Sequence, residues 1–242
     1  MDKFSLYTGQ LLTFQEHFAP KGHRACQGCG VALAVRHVYK ALEGMCASLD
    51  KARWQIPWKR SILEEEKKSS AAEPALLSIA KKNDAKDILY ICFDNECTER
   101  KIDKNALLKR EPAIAVANDF TYAATACPSH PFDLIEKVRR AFDAKGNSYI
   151  HILCPCPIGW EYPFEDTVRI GRVAVESRLF PLYEIAGGLY HITVDEPNPR
   201  PVADYIKRQK RFSLWKPQQI AALQDEVNAA YAHLKEKAVI AK

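Results

Sequence analysis

Short apolar runs that alternate with amphipathic stretches predict an α/β fold built on a mainly parallel sheet. Two observations carry this. Asp87 to Phe93 (DILYICF) is nearly continuously apolar, the pattern of a strand buried on both faces. Pro131 to Ala144 (PFDLIEKVRRAFDA) is amphipathic at helical spacing and leads through Lys145-Gly146 into the apolar run Ser148 to Cys154.

The remaining elements follow in order. Residues 31 to 44 place Val31, Leu33, Ala34, Val38 and Leu42 at helical spacing, with Gly44 as a stop. Met45 to Pro57 is mixed and irregular. Ser61 to Ser70 (SILEEEKKSS) is a charged run expected as a solvated helix or loop, and Glu64, Glu65 and Glu66 lack the spacing of a paired-carboxylate site. Asn105 to Ala117 reads as helix, broken or restarted near Pro112, and Thr121 to Cys127 as a strand. Glu165 to Ser177 is helical, Leu189 to Val194 strand-like, and Lys216 to Ala238 a long C-terminal helix with proline in its first turn. We read a single domain over 1–242. It comprises a cysteine-bearing segment (1–60), a short linker region (61–86), an α/β core (87–212) and a C-terminal helix (213–242).

Composition removes several function classes. The net charge of +5 is spread along the chain and does not argue for nucleic acid. No apolar run approaches the roughly 20 residues of a membrane span. The first ten residues carry early charges and no cleavable signal pattern, so the expected location is the cytoplasm. In that compartment eight cysteines point to metal or redox chemistry rather than to a disulfide framework. No glycine-rich phosphate loop of the GxGxxG or GxxxxGK type is present.

The chemistry concentrates in Gly22-His23-Arg24-Ala25-Cys26-Gln27-Gly28-Cys29-Gly30, a Cys-x-x-Cys pair between glycines at the head of a helix. Thiolates at this spacing reach one centre, and the glycines let the backbone curl around it. Such pairs hold zinc, anchor an iron–sulfur cluster or run thiol exchange. A second feature is Cys154-Pro155-Cys156-Pro157, where prolines stiffen a strand-end turn. Four thiolates from Cys26, Cys29, Cys46 and Cys156 suit an iron–sulfur cluster, which tolerates a distant fourth ligand, and suit structural zinc nearly as well. Cys92 and Cys127 read as buried thiols, and Cys97 as a loop thiol near the sheet edge. His23 and His130 read as loop histidines, and Trp54, Trp58 and Trp160 as packing anchors.

Several phrases then occur together and in order: GHRACQGCG, Ala52 to Trp58 (ARWQIPW), Ile91 to Glu96 (ICFDNE), Ile150 to Trp160 (IHILCPCPIGW), Pro181 to Glu184 (PLYE) and Arg200 to Tyr205 (RPVADY). In this the chain resembles the beta subunit of pyruvate (2-oxoacid):ferredoxin oxidoreductases, the subunit that carries thiamine diphosphate. The resemblance implies a thiamine diphosphate-binding type of fold. It also implies a [4Fe–4S] cluster ligated by Cys26, Cys29, Cys46 and Cys156, with Cys154 as the alternative where the family has alanine. Partners would be alpha, gamma and delta chains and ferredoxin or a similar electron carrier.

The chain departs from that pattern at the thiamine site. The family's Gly-Asp-Gly motif upstream of its Asp-Asn pair is replaced here by the region of Lys67-Lys68-Ser69-Ser70. Its Asn-Thr-Gly phrase is replaced by Cys97 to Lys104 (CTERKIDK). Asp94 and Asn95 remain, either as a remnant of the thiamine region or as a cap on the strand-end loop. The expectation is an electron-relay subunit whose thiamine and Mg²⁺ site is lost, with no catalytic residue assigned. The alternative is a non-catalytic scaffold that holds a structural cluster or zinc.

Overall fold

A computed structural model describes residues 25–42, 61–67, 87–95 and 111–238. Six strands, β1 (Ser61–Lys67), β2 (Ile88–Asp94), β3 (Tyr122–Ala126), β4 (Ser148–Leu153), β5 (Leu182–Ala186) and β6 (Leu189–Val194), form one sheet in the order β1-β2-β4-β3-β5-β6. The helices are α1 (Gly30–Leu42), α2 (Glu111–Val116), α3 (Pro131–Asp143), α4 (Pro157–Trp160), α5 (Thr167–Glu176), α6 (Val202–Ile206) and α7 (Pro217–Lys237). The first four strands pair in parallel, and β5 and β6 extend the sheet antiparallel.

Alternation along the buried strands gives the sheet two covered faces. Leu89, Ile91 and Phe93 of β2 join Ile150 and Ile152 of β4 against Ala34 and Val38 of α1 and Leu134 and Val138 of α3. Their neighbours Ile88, Tyr90 and Cys92 turn to the other face, with Tyr149 and Ala115. A second core on that side joins Leu153, Trp160, Ile170, Val173, Leu182, Val202, Tyr205, Leu223 and Val227. Each fully buried aliphatic side chain contributes about 1.5–3 kcal/mol by leaving water. The C-terminal carbonyl of Ala41 on α1 accepts from Arg139 Nε of α3 at 3.3 Å, satisfying one of that helix's orphan acceptors.

Two departures from the sequence reading stand out. The charged run at 61–67, expected as helix or loop, is strand β1, in register from Ser61 opposite Ile88 to Lys67 opposite Asp94. An open edge of β2 outweighed the local polarity, and a charged sequence suits the outer strand because it discourages pairing with another chain. Strand β5 was not expected at all. Its signal was the Gly187-Gly188 pair, both at positive φ (55° and 80°), in the two-residue loop that joins β5 to β6.

The β3–β5 ladder spans three pairs and stops at Ala124 opposite Glu184. Thr125 splices the gap. Its hydroxyl donates to the Pro181 carbonyl (2.7 Å) and accepts from the Tyr183 N–H (3.0 Å). Its carbonyl accepts from Lys137 Nζ at 2.8 Å. Lys137 is only 1% exposed and also donates to Asp133 (2.8 Å) and Thr193 Oγ1 (2.7 Å). Burial pushes its amine pKa down, with Asp133 opposing, and three acceptors are what make a buried lysine tolerable.

Candidate functional site

Parallel strands present their C-terminal ends on one edge, where α/β proteins place ligands. Here β2 delivers Asp94-Asn95 to that edge, and β4 delivers Cys154-Pro155-Cys156. The two ends are joined: the Cys154 N–H donates to the Asp94 carbonyl at 2.8 Å. Beyond them the chain enters α4, where Cys156 sits at the N-cap position and its Sγ accepts from the Gly159 N–H at 3.3 Å. Trp160, fully buried, donates its indole N–H to the Asn95 carbonyl at 2.7 Å, and the Arg211 guanidinium lies 3.8 Å over its ring.

The two-cysteine loop docks on this segment through its backbone. The Cys29 N–H closes a turn on the Cys26 carbonyl (3.2 Å), and the Gly30 N–H donates to the Pro155 carbonyl (3.1 Å). Thr167 Oγ1 donates to the Gly28 carbonyl at 2.6 Å. Both glycines are required by contact as well as conformation. A Cβ at Gly28, which has φ of +67°, would stand 2.3 Å from the Phe164 carbonyl oxygen. One at Gly30 would stand 2.4 Å from that of Pro155.

The thiols therefore divide by environment. Cys26 is exposed, and Cys29 and Cys156 are half-buried, all on loops of this edge. Cys154 is buried and its thiol contacts the Ile152 carbonyl at 3.4 Å. Desolvation pushes the Cys154 thiol well up, and the nearby Cys127, Asp94, Cys92 and Cys29 push the same way. Cys92 is buried within β2. Cys127 is buried too and raised to about 11 by desolvation, with Ser129 as a partial offset. Cys46, Cys97, His23, Trp54 and Trp58 lie outside the described residues. Among the described residues no three His, Cys, Asp or Glu side chains converge on one metal position.

Asp94 and Asn95 belong to a buried network that the sequence did not reveal. Asp94 is 0% exposed and its Oδ2 meets His151 Nε2 at 2.8 Å. His151, also 0% exposed, meets the Tyr149 hydroxyl through Nδ1 at 3.1 Å. The available signal was a histidine two residues after a tyrosine on an otherwise apolar strand. His130 stands at the start of α3, where Ser129 Oγ meets its Nδ1 at 3.0 Å and Cys127 Sγ at 3.1 Å. Trp160 is the packing anchor expected of it. Among the described residues no helix is long and apolar enough to cross a membrane.

No protein-family model matches the chain. Curated relatives do. The pyruvate synthase subunit PorB of Methanocaldococcus jannaschii is 31% identical over 267 aligned positions, which cover 82% of this chain and 89% of the relative. The PorB subunit of Methanothermobacter marburgensis is 29% identical over 283 positions, covering 91% and 98%. The ketoisovalerate oxidoreductase subunit VorB of Pyrococcus abyssi is 28% identical over 302 positions, covering 95% and 96%. At this identity and coverage, and with the cysteine-bearing strand ends described above, the chain belongs to the beta-subunit family of the 2-oxoacid:ferredoxin oxidoreductases.

Proposed function

We propose that this chain is an electron-relay subunit of a 2-oxoacid:ferredoxin oxidoreductase complex, holding one [4Fe–4S] cluster through Cys26, Cys29, Cys46 and Cys156. The observation that carries this reading is the docking of the Cys26–Cys29 loop, through Gly28 and Gly30, onto the segment that bears Cys156. Three half-buried or exposed thiols on one sheet edge are the donor type that iron–sulfur clusters take. Cys154 is the weaker candidate for the fourth ligand, since its thiol is buried and resists ionisation. The cluster, when bound, supplies one-electron transfer; the chain supplies thiolates, a stiff proline-flanked turn and partial shielding from water.

Among the described residues, Asp94 and Asn95 do not fit thiamine diphosphate with Mg²⁺. A bridging metal needs hard oxygen ligands facing the diphosphate. Asp94 is instead buried against His151, and Asn95 is buried with its carbonyl taken by Trp160. The 267 positions aligned with the M. jannaschii subunit take in 82% of 242 residues, so roughly a quarter of them hold no residue of this chain. The carbon chemistry on the 2-oxoacid then falls to a partner subunit. Alpha, gamma and delta chains and a ferredoxin-type carrier in the cytoplasm are the partners this reading requires. Ile158, Phe164 and Val168, apolar and exposed beside the cysteine segment, offer surface for a partner to cover.

Anaerobic purification with iron, sulfide and zinc analysis, and visible and EPR spectra before and after dithionite, tests the proposal. Four iron and four sulfide per chain with a reducible signal is the expected result. Zinc without sulfide would replace it with the scaffold reading, in which the cysteines hold a structural metal. Saturable binding of thiamine diphosphate with Mg²⁺ to the purified complex, lost on changing Asp94 or Asn95, would overturn the loss of the thiamine site.

A further inference from the structure

A groove of about 800 Å³ lies between α7 and the β5–β6 hairpin, with Ala113 of α2 and the turn after α5 also in its lining. Neither a cysteine nor Asp94 or Asn95 is among the described residues that line it. Tyr183 and Tyr190, from adjacent strands, stack there with ring centroids 6.3 Å apart and planes 10° from parallel. Tyr231 of α7 supplies a third ring. Cations sit on two of these rings: the Arg178 guanidinium lies 4.3 Å over Tyr231, and Lys237 Nζ is 5.6 Å from the centre of Tyr190. The described lining carries these two permanent cations and one carboxylate, Glu226.

Arg178 is unusual in a second way. It follows the end of α5 with φ of +61°, the left-handed conformation that helix ends usually give to glycine. Backbone preference does not explain an arginine there, so its side chain is the feature to account for. Nη2 donates to the Glu196 carbonyl at 2.6 Å and lies 3.9 Å from Asp195 Oδ1. The buried Nε–H has no acceptor among the described residues. A guanidinium carries five N–H donors, so this one is anchored with donors to spare.

The geometry points to a binding site for a nucleoside diphosphate in this groove. A planar base gains by stacking on tyrosine rings, and a phosphate tail pairs with guanidinium and ammonium. The volume falls in the range of small-molecule sites, which are concave, largely apolar and furnished with a few fixed polar groups. A neutral apolar ligand would leave both cations without a counter-charge, and a bare phosphate would leave the rings unused. The site shares no lining residue with the cysteine segment, so it stands whether or not the cluster reading does.

Isothermal titration of the full chain, purified with any subunits it carries, tests this with ADP, adenosine and pyrophosphate in the absence of divalent cations. Parent, Lys237→Gln, Arg178→Gln, Tyr190→Leu and Arg169→Gln are compared, and a melting curve on each checks folding. Arg169 is the control, an exposed cation of α5 outside the groove lining. Saturable ADP binding that weakens with added salt is expected. Lys237→Gln, Arg178→Gln and Tyr190→Leu should each weaken it by about tenfold or more, the weight of one charged hydrogen bond or one stacked ring. Arg169→Gln should leave it unchanged. Adenosine and pyrophosphate should each bind far more weakly than ADP. No saturable ADP binding to the parent overturns the proposal, as does equal binding by the parent and Lys237→Gln. Pyrophosphate as tight as ADP would remove the base from the site, and adenosine as tight would remove the phosphates; either result overturns the nucleotide class. Cross-links from Lys237 to a partner subunit, in a complex that excludes ADP, would overturn it in favour of a protein interface. Should Arg178→Gln not fold, Lys237→Gln, at an exposed position, decides.

Discussion

The indole N–H of Trp160 and the main-chain carbonyl of Asn95 form a 2.7 Å hydrogen bond that ties the helix after Cys156 to the end of β2. Both residues are buried, so neither group has water as a ready substitute.

Trp160→Phe keeps most of the apolar volume and removes this donor. It removes this bond to the Asn95 carbonyl and weakens the stack on Arg211. We expect a loss of about 0.5–1.5 kcal/mol in urea unfolding, the net contribution of a buried hydrogen bond. An unfolding midpoint equal to that of the parent would show that the bond contributes nothing.

Gly30→Ala places a methyl 2.4 Å from the Pro155 carbonyl oxygen and 2.7 Å from the Pro155 nitrogen, both backbone atoms that cannot swing aside. The expected cost is about 1–3 kcal/mol of overpacking, together with a separation of the two cysteine segments. Iron retention after gel filtration should fall with stability. Retention at the parental level would mean that the loop does not depend on this contact.

Alkylation of the metal-stripped native protein, mapped by mass spectrometry, should rank the thiols by burial. Cys26 reacts first, Cys29 and Cys156 more slowly, and Cys92, Cys127 and Cys154 only on unfolding. Burial and the raised ionisation of Cys127 (about 11) and Cys154 give the last group its resistance. Rapid labelling of Cys154 in the folded protein would contradict the core placement.

His130 supplies a pH dependence. Desolvation lowers its pKa from the ordinary 6.5, with Arg172 and Lys137 acting the same way and Asp133 and Glu176 opposing. The folded chain therefore takes up this proton later than the unfolded chain as pH falls. Stability declines on acidification through the window just below 6.5 and is unaffected by this group above it. Urea midpoints between neutral and mildly acid pH should show a shallower decline in His130→Gln; parallel curves would assign the decline to other groups.

The sheet's centre was legible because β2, β3 and β4 are apolar runs with clear ends, and α1, α3 and α7 keep helical spacing. One edge, β6, was read at Leu189 to Val194; the other edge, β1, and the interior strand β5 were not. β1 is a charged strand at the border of the sheet, and β5 is marked chiefly by the Gly187-Gly188 turn that follows it. At the site, sequence motifs located the cysteine pairs and Asp94-Asn95. The His151 and Tyr149 partners were invisible because they come from β4, 57 residues away from Asp94 at the His151 contact. Only parallel pairing brings β2 and β4 side by side. Motifs mark which residues are unusual; register decides which of them meet.

Among the described residues, the core formed by α5, α6, α7 and Trp160 draws no side chain from before residue 127. The segment that holds Cys156 thus has an apolar core drawn from later in the chain, and the loop of Cys26 and Cys29 docks on it through backbone contacts. That asymmetry describes how change in the loop of Cys26 and Cys29 can leave the core around Trp160 folded.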